Sequence, residues 1–335
     1  MKPSALIQSL DCALDTLTSV MLWGESGIGK SDIVRQIAAK RCAWGFIDLR
    51  AVLLDPVDLR GLPSIQGDMT KWIPPEFLPR DGEGILFLDE LPSAPQMTQA
   101  ACYQLVLDRK LGEYRLPEGW RVIAAGNPPK ERGVHFAMPR PLLNRFWHLT
   151  LEPDLDEWCK WAFANNIRPE MIAFLRFKRE LFHAPDPSSG VNAWPTPRSN
   201  AMASRLLSDW MVKHNNHLEI EPILQQMLAG AIGEGAAGEL YAFLQLFQDL
   251  PSTTEILMSP RTARLPNSAS ASIAIATALG RIMDTANFAQ ANTYLDRMED
   301  EFHVLAVQDA VERVPALKST PEFVQFSVKF AELVA

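Results

Sequence analysis

The chain has 335 residues, 47% of them hydrophobic and 21% charged, with a formal net charge of −8. This is ordinary globular composition with room for two or three compact units, and the acidic balance gives nucleic acid no overall attraction, leaving only a local basic channel open. No apolar run approaches the ~20 residues of a bilayer span, Met1-Lys2-Pro3-Ser4 leads into no signal-type block, and Cys12, Cys42, Cys102 and Cys159 lack the spacing of a zinc or disulfide frame, which points to a reducing cytoplasm with buried thiols.

Ser4 to Leu17 reads as a helix, with Leu6, Ile7, Leu10, Ala13, Leu14 and Leu17 on one face. Val20-Met21-Leu22-Trp23 is a short β-type run. Gly24-Glu25-Ser26-Gly27-Ile28-Gly29-Lys30-Ser31 follows at once and fits G-x-x-x-x-G-K-[ST]; Asp32 to Ala39 then carries apolar residues at helical spacing. Trp44 to Leu49 is a second strand. Ile85-Leu86-Phe87-Leu88 is the unbroken apolar run of a strand buried on both faces, and it ends in Asp89-Glu90. Gln96 to Leu107 is a helix. Leu111 to Leu116, the turn Pro117-Glu118-Gly119 and Trp120 to Val122 read as a hairpin. Arg121 to Ala125 is another buried strand, ending at Gly126-Asn127, and Leu149 to Leu151 a last short one. Such alternation is the signature of an α/β fold with a parallel sheet.

Beyond Pro153 the strand-like runs stop. Ala184 to Gly190 and Ala193 to Pro197 are loops, Arg198 to about Asn215 is helical, and further helices run to about Leu250. Pro251 to Ser268 is a Pro- and Ser-rich connector, and the chain is helical again from Ala269. The expected organisation is an α/β nucleotide-binding core over 1–152, an all-α lid over 153–250, and a connector with a C-terminal helical extension over 251–335.

The chemistry gathers in the first half. Glycines in Gly24–Ser31 let backbone N–H groups curl around β- and γ-phosphates at the positive end of a new helix. Lys30 would reach phosphate oxygens as a point charge, and Ser31 would complete a Mg²⁺ shell with Asp89. The expected nucleotide-binding residues are Gly24, Glu25, Ser26, Gly27, Ile28, Gly29, Lys30, Ser31 and Asp32. Asp89 and Glu90 divide the work of a carboxylate pair: Asp89 for the metal, Glu90 to orient and polarise the attacking water. A parallel sheet would bring the Asn127 amide to the same carboxyl edge, to hold the water or sense the γ-phosphate; its other reading is a turn former in Gly126-Asn127-Pro128-Pro129. Cys102, His135 and His148 suggest only a core thiol and two loop or strand-end imidazoles.

Gly24–Ser31, Ile85–Glu90, Asn127, Asn144-Arg145-Phe146 and Thr196-Pro197-Arg198 together resemble the MoxR-type AAA+ ATPases, over roughly residues 1 to 250. The resemblance implies a P-loop NTPase core, ATP and Mg²⁺ as cofactors, and Asn127 in the place called sensor 1. It implies Arg145 as a finger reaching a neighbouring subunit, with Arg140 as a competitor, and Arg198 in the place of sensor 2. A planar guanidinium fork suits transition-state phosphate charge, although a lone arginine is also a common surface ion-pair member. Val57 to Pro63 and Lys71 to Pro79 are similar to the helix-2 insert of that clade, and the hairpin before Asn127 to its pre-sensor-1 hairpin; Trp72 and Trp120 read as packing residues.

What the resemblance implies for function is a ring, a hexamer by family, that remodels, assembles or activates a protein, with a von Willebrand factor A-domain partner. The alternative is a nucleic-acid motor, since minichromosome maintenance helicases share the hairpin. Its basic candidates are few (Lys71, Arg109, Lys110, Arg115, Arg121) and no zinc module, basic tail or aromatic series accompanies them, which argues against nucleic acid. A GTPase of modification-dependent restriction would need Asn-Thr-x-x-Asp, whereas Asn127 precedes two prolines.

Overall fold

The computed structural model describes residues 1–128, 136–185, 191–215 and 217–331. His135, Pro129 and the 186–190 part of the expected loop lie outside the described residues. By contact density the chain falls into two units, Met1–Asp154 and Leu155–Ala335.

In the first unit a five-stranded parallel sheet forms from β1 (Val20–Trp23), β2 (Gly45–Arg50), β5 (Gly84–Asp89), β8 (Trp120–Gly126) and β9 (Trp147–Thr150), in the order β2-β5-β8-β1-β9. Alternation along each strand feeds two cores. Leu86 and Leu88, Val122 and Ala124, and Met21 face one of them; Ile85 and Phe87, Ile123 and Ala125, and Val20 and Leu22 face the other. Helix α4 (Gln96–Asp108) seals the first side with Ala101, Cys102 and Leu105, while α1 (Pro3–Asp15) and α2 (Lys30–Lys40) seal the second with Leu6, Leu10, Ile33 and Ile37. The result is the α/β fold with a parallel sheet that the alternation predicts, with helices on both faces. Burial pushes the Cys102 thiol up to about 12, so it is the inert core thiol expected.

Four details depart from the sequence reading. Helix α1 stops at Asp15, and Leu17, at φ 58 and 52% exposed, leaves the helical face assigned to it. The expected hairpin from Leu111 to Val122 is instead a pair of two-residue arms, β6 (Lys110–Leu111) and β7 (Tyr114–Arg115), turning at Gly112 with φ 59. Trp120 and Val122 belong to β8 and pair in parallel with Gly84 and Leu86. The sequence pattern missed this because Gly112 supplies the left-handed turn conformation that Pro117-Glu118-Gly119 seemed to offer. The helix-2-type insert is a short helix α3 (Pro56–Arg60), held by an Asp55–Asp58 capping box, then an antiparallel hairpin of β3 (Leu62–Gln66) and β4 (Met69–Ile73). There Trp72 is 39% exposed, unlike Trp120, which is buried with its indole N–H on Asp81 O at 2.8 Å.

The second unit is helical: α6 (Leu155–Ala164), α7 (Pro169–Phe177), α8 (Pro197–Lys213), α9 (Pro222–Ile232), α10 (Glu234–Gln248), α11 (Thr253–Met258), α12 (Ala269–Ile282), α13 (Phe288–Leu295), α14 (Asp300–Arg313) and α15 (Pro321–Lys329). A capping box between Thr196 and Ser199 starts α8. The connector carries a helix the sequence reading lacked, α11, because the Ser252 side chain accepts from the Glu255 N–H. One hydrophobic core spans α6 to α10 and another α11 to α15, with α12 giving Ala274 to the first and Ile275, Ala276 and Leu279 to the second. Arg176 on α7 meets Asp309 on α14 through two bonds of 2.6 and 2.7 Å, both side chains nearly buried. Among the described residues no helix is long and apolar enough to cross a membrane.

Candidate nucleotide-binding and hydrolysis site

Strand β1 ends at Trp23, and the Gly24 N–H donates to Gly126 O of β8 at 3.3 Å, so the loop leaves from the carboxyl edge of the sheet's centre. Gly27 (φ 77) and Gly29 (φ 98) hold left-handed conformations, and a side chain at Gly29 would meet nothing within 4 Å. Gly24 is different: a Cβ there would lie 2.6 Å from Ile28 Cδ1 and 3.2 Å from Leu151 O. Ile28 anchors the loop in the core beside α2, and the Ile33 N–H on Gly29 O begins the helix that follows. The loop is therefore a built cradle whose N–H groups sit at a helix start.

Lys30 is buried. Its ammonium donates to Gly24 O at 2.7 Å, Glu25 O at 2.9 Å and Asn127 Oδ1 at 2.8 Å. The Ser31 hydroxyl donates to Asp89 Oδ2 at 2.8 Å, and Asp89 Oδ1 accepts the Glu90 N–H at 3.0 Å. Glu90 stands at φ 57, an uncommon conformation for a non-glycine residue, and is exposed at the strand end. Lys30, Ser31, Asp89 and Asn127 are thus brought together from β1–α2, β5 and β8, with Glu90 next along the chain. Asp32 is not part of this cluster by its carboxylate, which pairs with Arg35 at 3.2 Å. The donor set suits a magnesium nucleotide: a hydroxyl and a carboxylate oxygen already touch, and one ammonium waits among three oxygens.

Two arginines stand apart. Arg145 is exposed on the turn between α5 (Arg140–Leu143) and β9. Since Trp147 pairs with Val20 and the Trp147 N–H donates to Ser19 O, this turn lies at the amino edge of the sheet. Val20 to Gly24 is four strand steps, so Arg145 sits roughly 13 Å or more along the strand direction from its own phosphate loop. Arg140, at the start of α5, is exposed as well. Arg198 is exposed in the first turn of α8, in the second unit.

Two further features of this region show only in three dimensions. Arg35 also bridges to Asp48 at 3.2 Å; partial burial and then the Asp89 charge raise the Asp48 carboxyl, while Arg35 and Arg50 pull it down. His148, given no role, accepts the Trp23 indole N–H at 2.9 Å. Only the strand register β1–β9 brings these two together, and a linear sequence does not display it.

Residues 19–146 match the family model described as the AAA domain, dynein-related subfamily. Over these residues the first unit has that P-loop AAA fold. Its P-loop fold binds nucleotide and makes the chain an ATPase. No curated protein matches the sequence. Among solved structures, NtrX from Brucella abortus in complex with ADP is 17% identical, with a TM-score of 0.44 over 92% of this chain and 68% of that one. A Cytophaga hutchinsonii protein titled a putative ATPase is 16% identical, TM-score 0.37, over 92% and 80%. A Thermotoga maritima RuvB mutant is 15% identical, TM-score 0.42, over 76% and 75%.

Proposed function

We propose that the protein is a MoxR-type AAA+ ATPase that hydrolyses ATP with Mg²⁺ at the subunit interfaces of a homo-oligomeric ring, a hexamer by family resemblance, and uses the energy to remodel, assemble or activate a protein partner. Gly24–Ser31 hold the phosphates with Asp32 opening the helix, Ser31 and Asp89 hold the metal, Glu90 orients the attacking water, and Asn127 reads the γ-phosphate. Arg145 serves the neighbour's nucleotide and Arg198 the lid's contact with it. The single observation that carries the interface is the placement of Arg145 at the sheet edge opposite its own phosphate loop. No rearrangement of its turn short of unpairing β9 would bring it to the phosphates of the same AAA domain. Residues 153–250 act as the lid and 251–335 as the C-terminal extension, a division supported by the two hydrophobic cores. Of the thiols expected to be buried, Cys102 and Cys159 are, whereas Cys12 and Cys42 are exposed; a reducing cytoplasm would keep that exposed pair free.

A protein partner is favoured over nucleic acid by what the insertions display. The β3–β4 hairpin exposes Leu62, Ile65, Met69, Trp72 and Ile73 beside a single Lys71. Two of the basic candidates are tied inward: Arg109 donates to Pro117 O and Trp120 O, and Arg121 to Leu14 O and Gly119 O. Of the five candidates this leaves Lys71, Lys110 and Arg115 for a phosphate backbone.

Two experiments test this. Turnover per subunit should rise with protein concentration as interfaces form; equal activity at dilutions where the protein is monomeric would contradict it. Capture from native lysate with Glu90→Gln, ATP and Mg²⁺ should retain a stoichiometric protein, expected to carry a von Willebrand factor A domain. Nuclease-sensitive DNA or RNA in its place would favour the motor.

A further inference from the structure

Trp23 is the last residue of β1, next to Gly24, whose carbonyl oxygen holds the Lys30 ammonium. Its indole N–H donates to His148 Nδ1 at 2.9 Å, with the rings stacked at 6.2 Å and 11°. An indole nitrogen only donates, so Nδ1 must present its lone pair, and the neutral ring carries its proton on Nε2. That nitrogen lies 2.8 Å from Leu143 O, to which it donates. Leu143 ends α5, the Arg145 N–H donates back to Leu142 O at 3.1 Å, and buried Phe146 meets the His148 ring edge-on at 6.5 Å. One neutral imidazole therefore spans from the strand that launches the phosphate loop to the turn that presents Arg145.

We propose that His148 is a positioning residue for the arginine finger, holding the Arg145 turn in fixed register with the phosphate loop of the same subunit. Nucleotide in one subunit's site and the finger that subunit offers its neighbour are then parts of one rigid unit. A backbone carbonyl at one end and an indole N–H at the other leave the imidazole one tautomer and one ring orientation. The inference rests on the reading that Arg145 acts on the neighbour's nucleotide.

The test is a mutant cycle on ATP turnover in the full chain, with nucleotide affinity measured beside it. His148→Phe keeps the stacking and removes both hydrogen bonds; Trp23→Phe removes the donor alone and guards against a folding defect in the first variant. Each should lower kcat about ten- to a hundredfold, the scale of a misplaced catalytic group, with nucleotide affinity unchanged. His148→Gln, which keeps an acceptor and a donor, should recover most of the loss. In an Arg145→Ala background His148→Phe should cost nothing further. Equal loss from His148→Phe with and without Arg145 would overturn the inference while leaving the interface intact. Full turnover in Arg145→Ala alone would remove the interface reading, and this inference with it.

Discussion

Lys30 is the residue on which the phosphate loop is organised: three oxygens hold its ammonium, and one of them, Asn127 Oδ1, comes from a different strand. On the proposed function an arriving phosphate would compete for the same ammonium, so nucleotide binding should release or re-aim the Asn127 amide, as a sensor requires. Glu90 has no comparable role in binding, because it stands beyond the strand end and is engaged through its backbone, its N–H on Asp89 Oδ1 and its carbonyl on the Ser93 N–H. Glu90→Gln should therefore keep nucleotide affinity and lose about 10²–10⁴ in turnover, the range for removal of a general base; parallel nucleotide-binding and phosphate-release assays check it. Gly29→Ala meets no neighbour, so its cost is backbone strain at φ 98, about 1–2 kcal/mol, read as a lower unfolding midpoint of the AAA domain.

At the scale of elements, the sheet was legible because each buried strand reads as an unbroken apolar run and each ends in a chemical marker: Trp23-Gly24, Asp89-Glu90, Gly126-Asn127. The phosphate loop, the carboxylate pair and Asn127 were legible for the same reason. What the sequence hid was pairing. Trp120 was read into a hairpin because nothing local distinguishes an antiparallel arm from a parallel strand, and His148 looked idle because Trp23 is 125 positions away. The helices of the second unit were visible by period alone, and their long-range contacts were not. His303 on α14 is one of these contacts: buried among Phe326 and Phe330, with Nε2 on Asn292 Oδ1 at 2.8 Å, it is pushed down to about 4, chiefly by burial, with Asp296 opposing. The folded state thus keeps His303 neutral while the unfolded chain takes up a proton near the ordinary value of 6.5. Stability should be full above that pH, decline as pH falls from about 6.5 to about 4, and level off below, by at most about 3 kcal/mol. His303→Asn should flatten that slope in denaturant titrations across the window. Breaking the buried Arg176–Asp309 pair with Asp309→Ala leaves an uncompensated guanidinium between α7 and α14, and should cost about 3–5 kcal/mol in the same titrations.

At the scale of the whole molecule, the proposed reaction centre has its two halves on opposite edges of one subunit's sheet. The carboxyl edge has the phosphate cradle, the Ser31–Asp89 pair and Glu90; the amino edge has Arg145. Under the proposed function such a subunit would work only beside another, with each site drawing its water-orienting carboxylate and its finger from different chains. This claim is tested most directly by mixing two inactive variants. Glu90→Gln keeps Arg145, and Arg145→Ala keeps Glu90, so a mixed ring contains some interfaces with both native groups. Each variant alone should be nearly inactive, and their mixture should regain a substantial fraction of ATP turnover. A mixture no more active than its parts, in rings shown to contain both variants, would contradict the shared site.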